Sequence, residues 1–295
     1  MAEQIKEYYN QYRNGQIDRR EFLRKSANIA GGIALAFAIL PEEEAKAEFT
    51  PSDDSRLEME MISYPGASGK MIAYMAKPKG TAKLPAVIVI HENMGLQPHI
   101  KDVTRRMALE GFIALAPDVL SPFGGTPAET EKVRPLMQQL DNETTKKDFV
   151  AAVAYLKTNP LTTGKVGCTG FCWGGAMTNQ VAVNAPDLDA AVPYYGAQPS
   201  PEETAKIKAP MLMHYAGEDE RINAGIPAFE EALKKASVEY TIYMYEGASH
   251  AFNNDSNPAR YNKEAADLAW KRTIAFFKEK LGTIPQPDSQ KAGSV

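Results

Sequence analysis

The chain has only two cysteines, Cys168 and Cys172, among 295 residues, which excludes a disulfide scaffold. Histidine is nearly as scarce, with four in all. Two Cys and scattered His stand at no ligand spacing, so neither a metal nor another cofactor is expected. Positive charge is short as well: 33 Lys and Arg against 37 Asp and Glu leave a formal net charge of −4. No basic cluster with interleaved aromatics appears, so nucleic acid is not an expected partner. No apolar run is long enough for a comfortable membrane crossing, and Ser26–Leu40, rich in Ala and Gly, is the nearest approach. Internal repeats and long low-complexity tracts are missing too. What remains, 44% hydrophobic residues over this length, suits one large α/β domain with a sizeable core.

The chemistry is located by Gly170-Phe171-Cys172-Trp173-Gly174-Gly175, a Gly-x-nucleophile-x-Gly elbow with cysteine where most such elbows carry serine. The strand-like run Lys165–Thr169 precedes it, and a helical stretch, Ala176–Ala182, follows. A strand that turns sharply into a helix strains its central residue, and glycine on either side leaves room for the backbone. The helix N-terminus favours thiolate and gives one oxyanion donor.

Partners for the nucleophile are expected in the order acid, then histidine, on loops after later strands. Pro210–Ala216 is an apolar strand run that ends in Gly217-Glu218-Asp219, and Tyr240–Tyr245 alternates like a strand before Glu246–Phe252. Asp219 and His250 are the candidates. Of the other histidines, His214 lies inside a predicted strand, as a core residue or one that supports the site from behind, and His99, opening a helix after Pro98, is expected at the surface. His91-Glu92-Asn93-Met94-Gly95 follows the strand Ala86–Ile90. The loop after that strand supplies the second oxyanion N–H, here from Asn93. Glu92 beside the thiol could take its proton or pair with it, since a charge buried there without a role would be costly.

Together with Ala116-Pro117-Asp118, Ala190–Gly196, Gly217-Glu218-Asp219 and Ser249-His250-Ala251-Phe252, these residues make the chain resemble the dienelactone hydrolase family of the α/β-hydrolase fold, from about Leu57 to about Leu281. The resemblance implies a hydrolase of a lactone or small carboxylic ester. It assigns attack to Cys172, the base to His250, its orientation to Asp219, acceptance of the thiol proton to Glu92 and the oxyanion N–H groups to Asn93 and Trp173. Tyr195 and Arg221 are the substrate-binding candidates. Typical members carry an arginine shortly after Ala-Pro-Asp that grips a substrate carboxylate, whereas Val119–Gly125 here has none. Neutral esters are therefore expected to compete with anionic lactones, unless Arg221 enters the pocket from another loop.

Strand-like runs at Leu57–Tyr64, Met71–Ala76, Ala86–Ile90, Phe112–Ala116, Lys165–Thr169, Leu188–Tyr194, Pro210–Tyr215 and Tyr240–Tyr245 alternate, after the first two, with helical stretches. That order predicts a mostly parallel central sheet flanked by helices, with an antiparallel edge. Two helices are expected between Pro127 and Thr158, the second at Thr145–Leu156. A last helix is expected at Asn262–Lys280, with Leu268, Ile274, Phe276 and Phe277 packing inward.

The hydrolase domain is expected over 48–284, with a polar, disordered tail over 285–295. Residues 1–47 form a separate unit. Asp18–Lys25 resembles a twin-arginine export motif, and Ala45-Lys46-Ala47 fits small-x-small cleavage. A periplasmic location follows from that reading. The alternative is a cytoplasmic chain that keeps its N-terminal helices, packed on the domain or on a second subunit in a homodimer. Two rival functions are a thiol redox or sensing protein using Cys168 and Cys172, and a catalytically silent binding module on the same scaffold.

Overall fold

The computed structural model describes residues 2–13, 17, 19–30, 50–80 and 82–282. Its strands are β1 Leu57–Gly66, β2 Gly69–Pro78, β3 Leu84–Ile90, β4 Ile113–Pro117, β5 Thr162–Phe171, β6 Ala190–Tyr194, β7 Met211–Glu218 and β8 Tyr240–Ser249. β3 is apolar and buried at every position. A strand of that kind needs cover on both faces, which a parallel sheet between helix layers provides. The sheet order is β1-β2-β4-β3-β5-β6-β7-β8. β1 pairs antiparallel with β2, and β2 antiparallel with β4. All pairings from β4 to β8 are parallel.

Side chains alternate across the sheet and split the core in two. Ile88 and Ile90 face Cys168, Phe149, Met177, Val181 and Phe229. Val87 and Val89 join Phe171, Tyr194, Ile100, Val103, Met107 and Phe277 on the other face. In chain order the helices are α1 Ala2–Arg13, α2 Arg19–Ala30, α3 Pro98–Leu109, α4 Thr130–Met137, α5 Asn142–Thr158, α6 Trp173–Asn184, α7 Pro201–Thr204, α8 Glu220–Asn223, α9 Ile226–Lys235 and α10 Lys263–Leu281. α5, α6 and α9 cover the first face, and α3 and α10 the second. Two long helices start on side-chain caps: Asp141 accepts from the Thr144 N–H at 2.8 Å and Asn262 from Ala265 at 3.1 Å.

All eight expected strands are present, and the 127–158 stretch holds the two expected helices α4 and α5. One packing expectation fails. Leu268 on α10 is 43% exposed, whereas Ile274 and Phe277 are buried; α10 turns only one stripe inward, and Leu268 lies off it. The arginines of the export-like motif, Arg19 and Arg20, begin α2. Tyr9 of α1 meets the buried Phe22 of α2 edge-on, with ring centroids 6.0 Å apart. The Ala45-Lys46-Ala47 signature and the tail from Pro285 lie outside the described residues. No helix among those described is long and apolar enough to cross a membrane.

Candidate active site

β3, β5, β6, β7 and β8 are consecutive neighbours in the sheet and run parallel, so their C-terminal ends emerge along one edge. The residues just past those ends are Glu92 and Asn93, Cys172, Tyr195, Asp219 and His250. Loops at this edge are where open α/β sheets place ligands.

Cys172 links β5 to α6 with φ 56° and ψ −112°, a conformation that costs a non-glycine residue strain. The tightness has a direct cause. A Cβ at Gly170 would stand 2.3 Å from the Gly174 carbonyl oxygen, and one at Gly174 would stand 2.4 Å from the carbonyl oxygens of Ile90 and His91. Glycine at these two positions lets the elbow fold on itself and lets α6 abut the end of β3. The Cys172 N–H donates to the Tyr194 carbonyl at 3.1 Å and its carbonyl accepts from Ala176 at 3.1 Å. Its thiol is half-buried. Burial first, and then the Glu92 carboxylate, push it above the ordinary cysteine value, against a backbone hydrogen bond from Trp173 and the Arg221 charge.

Pairing of Glu218 with Ser249, after an irregularity in β7, sets the next residues of both strands side by side. There His250 Nδ1 hydrogen-bonds the buried Asp219 Oδ2. A carboxylate can only accept, so Nδ1 is the donor, and in the neutral ring Nε2 keeps its lone pair.

His91 has a role that sequence reading did not give it. It is fully buried, with Nδ1 donating to the Glu92 carbonyl at 2.6 Å and Nε2 accepting from the Val119 N–H at 3.2 Å. One donor and one acceptor fix the neutral tautomer, in line with burial lowering its pKa. Its ring stacks on Trp173 at 5.5 Å, joining the loop that carries Asn93 to the start of α6. Asp118 braces the same loop: it accepts from Thr126 Oγ1 at 2.8 Å, and that hydroxyl accepts from the Leu96 N–H at 2.9 Å.

A cavity of about 850 Å³ opens over these groups, lined among others by Glu92, Asn93, Cys172, Arg221, His250 and Asn254. Sequence reading missed several of its lining residues, Asn254 and Arg260 among them. Asn254 donates Nδ2 to Glu92 Oε2 at 2.8 Å, and Arg260 lines the same cavity. Both lie in the loop after His250, whose Asn- and Pro-rich composition hides which side chains turn inward. Tyr195 does not line the cavity; it is 1% exposed, has φ 37°, and sets its ring 5.0 Å from that of His250. Its buried hydroxyl faces Glu92, Cys172 and the Asn253 backbone. His99, expected at the surface, is 9% exposed, with Nδ1 3.1 Å from Asp255 Oδ1. Packing of the loop after His250 over the N-terminus of α3 covers it.

Cys168 is a free, fully buried thiol whose closest polar contact is Thr178 Oγ1 at 3.8 Å. Burial pushes its pKa up to about 12, so it offers no thiolate for exchange with Cys172. Among the described residues, no group of three or more Cys, His, Asp or Glu is arranged to hold a metal.

Comparisons with known proteins agree with this fold. The sequence model of the "Dienelactone hydrolase family" matches residues 71–281. A Saccharolobus solfataricus protein named "Putative carboxymethylenebutenolidase" is 35% identical over 255 residues, 74% of this chain and 97% of its own length. The Aquifex pyrophilus "Protein usf" is 36% identical over 232 residues, 75% of this chain and 99% of its own. A solved structure from Klebsiella pneumoniae, described as a "Putative Dienelactone Hydrolase", superimposes with TM-score 0.67 at 29% identity and covers 76% of this chain and 99% of that one.

Proposed function

This chain belongs to the dienelactone hydrolase family and is a hydrolase of lactones or carboxylic esters, and we propose that it works through an acyl-enzyme on Cys172, with His250 and Asp219 completing a triad. Glu92 takes the thiol proton and the thiolate attacks the carbonyl carbon. The oxyanion accepts from the backbone N–H groups of Asn93 and Trp173. Collapse breaks the C–O bond, and the leaving oxygen takes up that proton. His250, held through Nδ1 by Asp219, then uses Nε2 to deprotonate the water that attacks the thioester, and it returns the proton to the departing sulfur.

The observation that carries this reading is the convergence of a strained cysteine, a carboxylate-bound histidine and a partly buried glutamate on one cavity. Strain supports it further. Of the four positive-φ residues other than glycine among the described residues, Cys172, Tyr195 and Ala251 belong to this site and Ser237 does not.

For the substrate, the missing arginine after Asp118 is offset by Arg221 and Arg260 at the cavity wall. No ion pair among the described residues engages either, so the cavity favours an anionic lactone or ester, with Arg221 the guanidinium whose charge acts on the thiol. Hydrolysis of a matched anionic and neutral pair, with Cys172→Ala as the blank, tests both parts. Cys172→Ala is expected to abolish turnover, and Arg221→Ala to reduce kcat/KM for the anionic member alone by about one to two decades. A Cys172→Ala variant that turns over like the wild type would overturn the reading.

We also propose that the twin-arginine-like segment directs export and that the mature chain begins near Glu48.

A further inference from the structure

The groups facing the Cys172 thiol are Glu92 from the loop after β3, Tyr195 after β6, Asp219 and Arg221 after β7, and His250 after β8. The proton path above turns on Glu92, and its carboxylate is anchored by one residue. Asn254 Nδ2 donates to Glu92 Oε2 at 2.8 Å. The other end of the Asn254 amide is committed, since Oδ1 accepts from the Ser256 N–H at 3.1 Å and the Ser256 hydroxyl at 2.6 Å. Those donors fix the amide's orientation, so only its NH₂ can face Glu92. The loop itself is pinned one residue on: buried Asp255 lies 3.1 Å from His99 Nδ1 and 2.9 Å from Arg106 Nη2, both on α3.

We infer that Asn254 is a positioning residue that holds the Glu92 carboxylate beside the thiol through a neutral donor, an inference that rests on Glu92 being the acceptor of the thiol proton. A cation in that place would pair with Glu92 and cancel its charge. An amide orients the carboxylate and leaves its full negative charge directed at Cys172. With burial, that charge keeps the resting thiol protonated.

Asn254→Asp separates this role from a merely structural one. The new carboxylate keeps an acceptor for both Ser256 donors, but it loses the donor to Glu92 and sets two carboxylates face to face, where they share a proton. The expected result, with an ester the wild type hydrolyses, is a kcat loss of about tenfold or more with KM changed less than about threefold. The acid limb of the pH–kcat profile moves to higher pH, and iodoacetamide alkylates Cys172 more slowly at neutral pH. Asn254→Ala, which removes the donor and adds no charge, is expected to lose kcat with a smaller shift of the limb.

A pH profile and alkylation rate unchanged in both variants, or a loss confined to KM, would overturn the inference. Cys172→Ala tests the underlying reading separately: an inactive Cys172→Ala beside wild-type-like Asn254 variants would sink the inference and leave the triad standing.

Discussion

A half-buried thiol with a carboxylate beside it is held neutral at rest, the reverse of a cysteine activated permanently by a cation. Burial is the larger cause and Glu92 the second, so the two can be separated by substitution. Glu92→Gln removes a negative charge near sulfur and therefore lowers the thiol pKa. More thiolate is present at neutral pH, and iodoacetamide is expected to alkylate the variant faster than the wild type. Ester turnover is expected to fall in the same protein, because the acceptor of the thiol proton is gone. Opposite movements of the two rates are the signature; a fall in both would show that Glu92 activates the thiol in the resting enzyme. Asp219 and Cys172 were legible at this scale because chain order and an elbow between glycines announce them. Asn254 was not, because a side chain that acts by one hydrogen bond to a residue 162 positions away leaves no local pattern.

The elements converge because every parallel pairing from β3 to β8 points the same way, and the loops after them carry the chemistry. Hydrophobic runs and their alternation made the strands readable, and short turns kept their order. The loop between β8 and α10 resisted reading, since its structure is set by an ion cluster on another element. Asp255 lies between His99 and Arg106 of α3, and Arg106 also reaches Asp102 at 2.8 Å. Burial is the largest influence on Asp255 and raises its pKa, but the Arg106 charge and the contacts to His99 and Arg106 together outweigh it and hold the carboxyl below its ordinary value. A carboxylate depressed in the folded state stabilises above its unfolded pKa of about 3.9, and that contribution is lost as pH falls through the folded value. Asp255→Asn leaves Arg106 partly unpaired and is expected to cost about 3 kcal/mol at pH 7, read as a midpoint shift in urea unfolding. The gap from wild type is expected to close below about pH 4. A gap that is the same at pH 7 and pH 3 would show that the cluster acts by shape alone.

For the whole molecule, the sequence supports one hydrolase domain preceded by a segment of different character. α1 and α2 pack on each other through Tyr9 and Phe22, a contact that suits retention, whereas the paired arginines and the Ala45-Lys46-Ala47 signature suit export. Intact mass of the protein from its native host decides between them: a chain beginning near Glu48 is the expected outcome, and recovery of full-length chain alone would refute export. Substrate identity stays the least legible property, because specificity sits in cavity-wall residues such as Arg221 and Arg260 that come from separate loops. The central claim is a covalent acyl-sulfur intermediate, and mass spectrometry of protein quenched during turnover of a slow acyl ester tests it most directly. One added acyl mass is expected, localised to the peptide containing Cys172 and absent in Cys172→Ala; turnover without any adduct on that peptide, and undiminished in Cys172→Ala, would contradict a covalent mechanism.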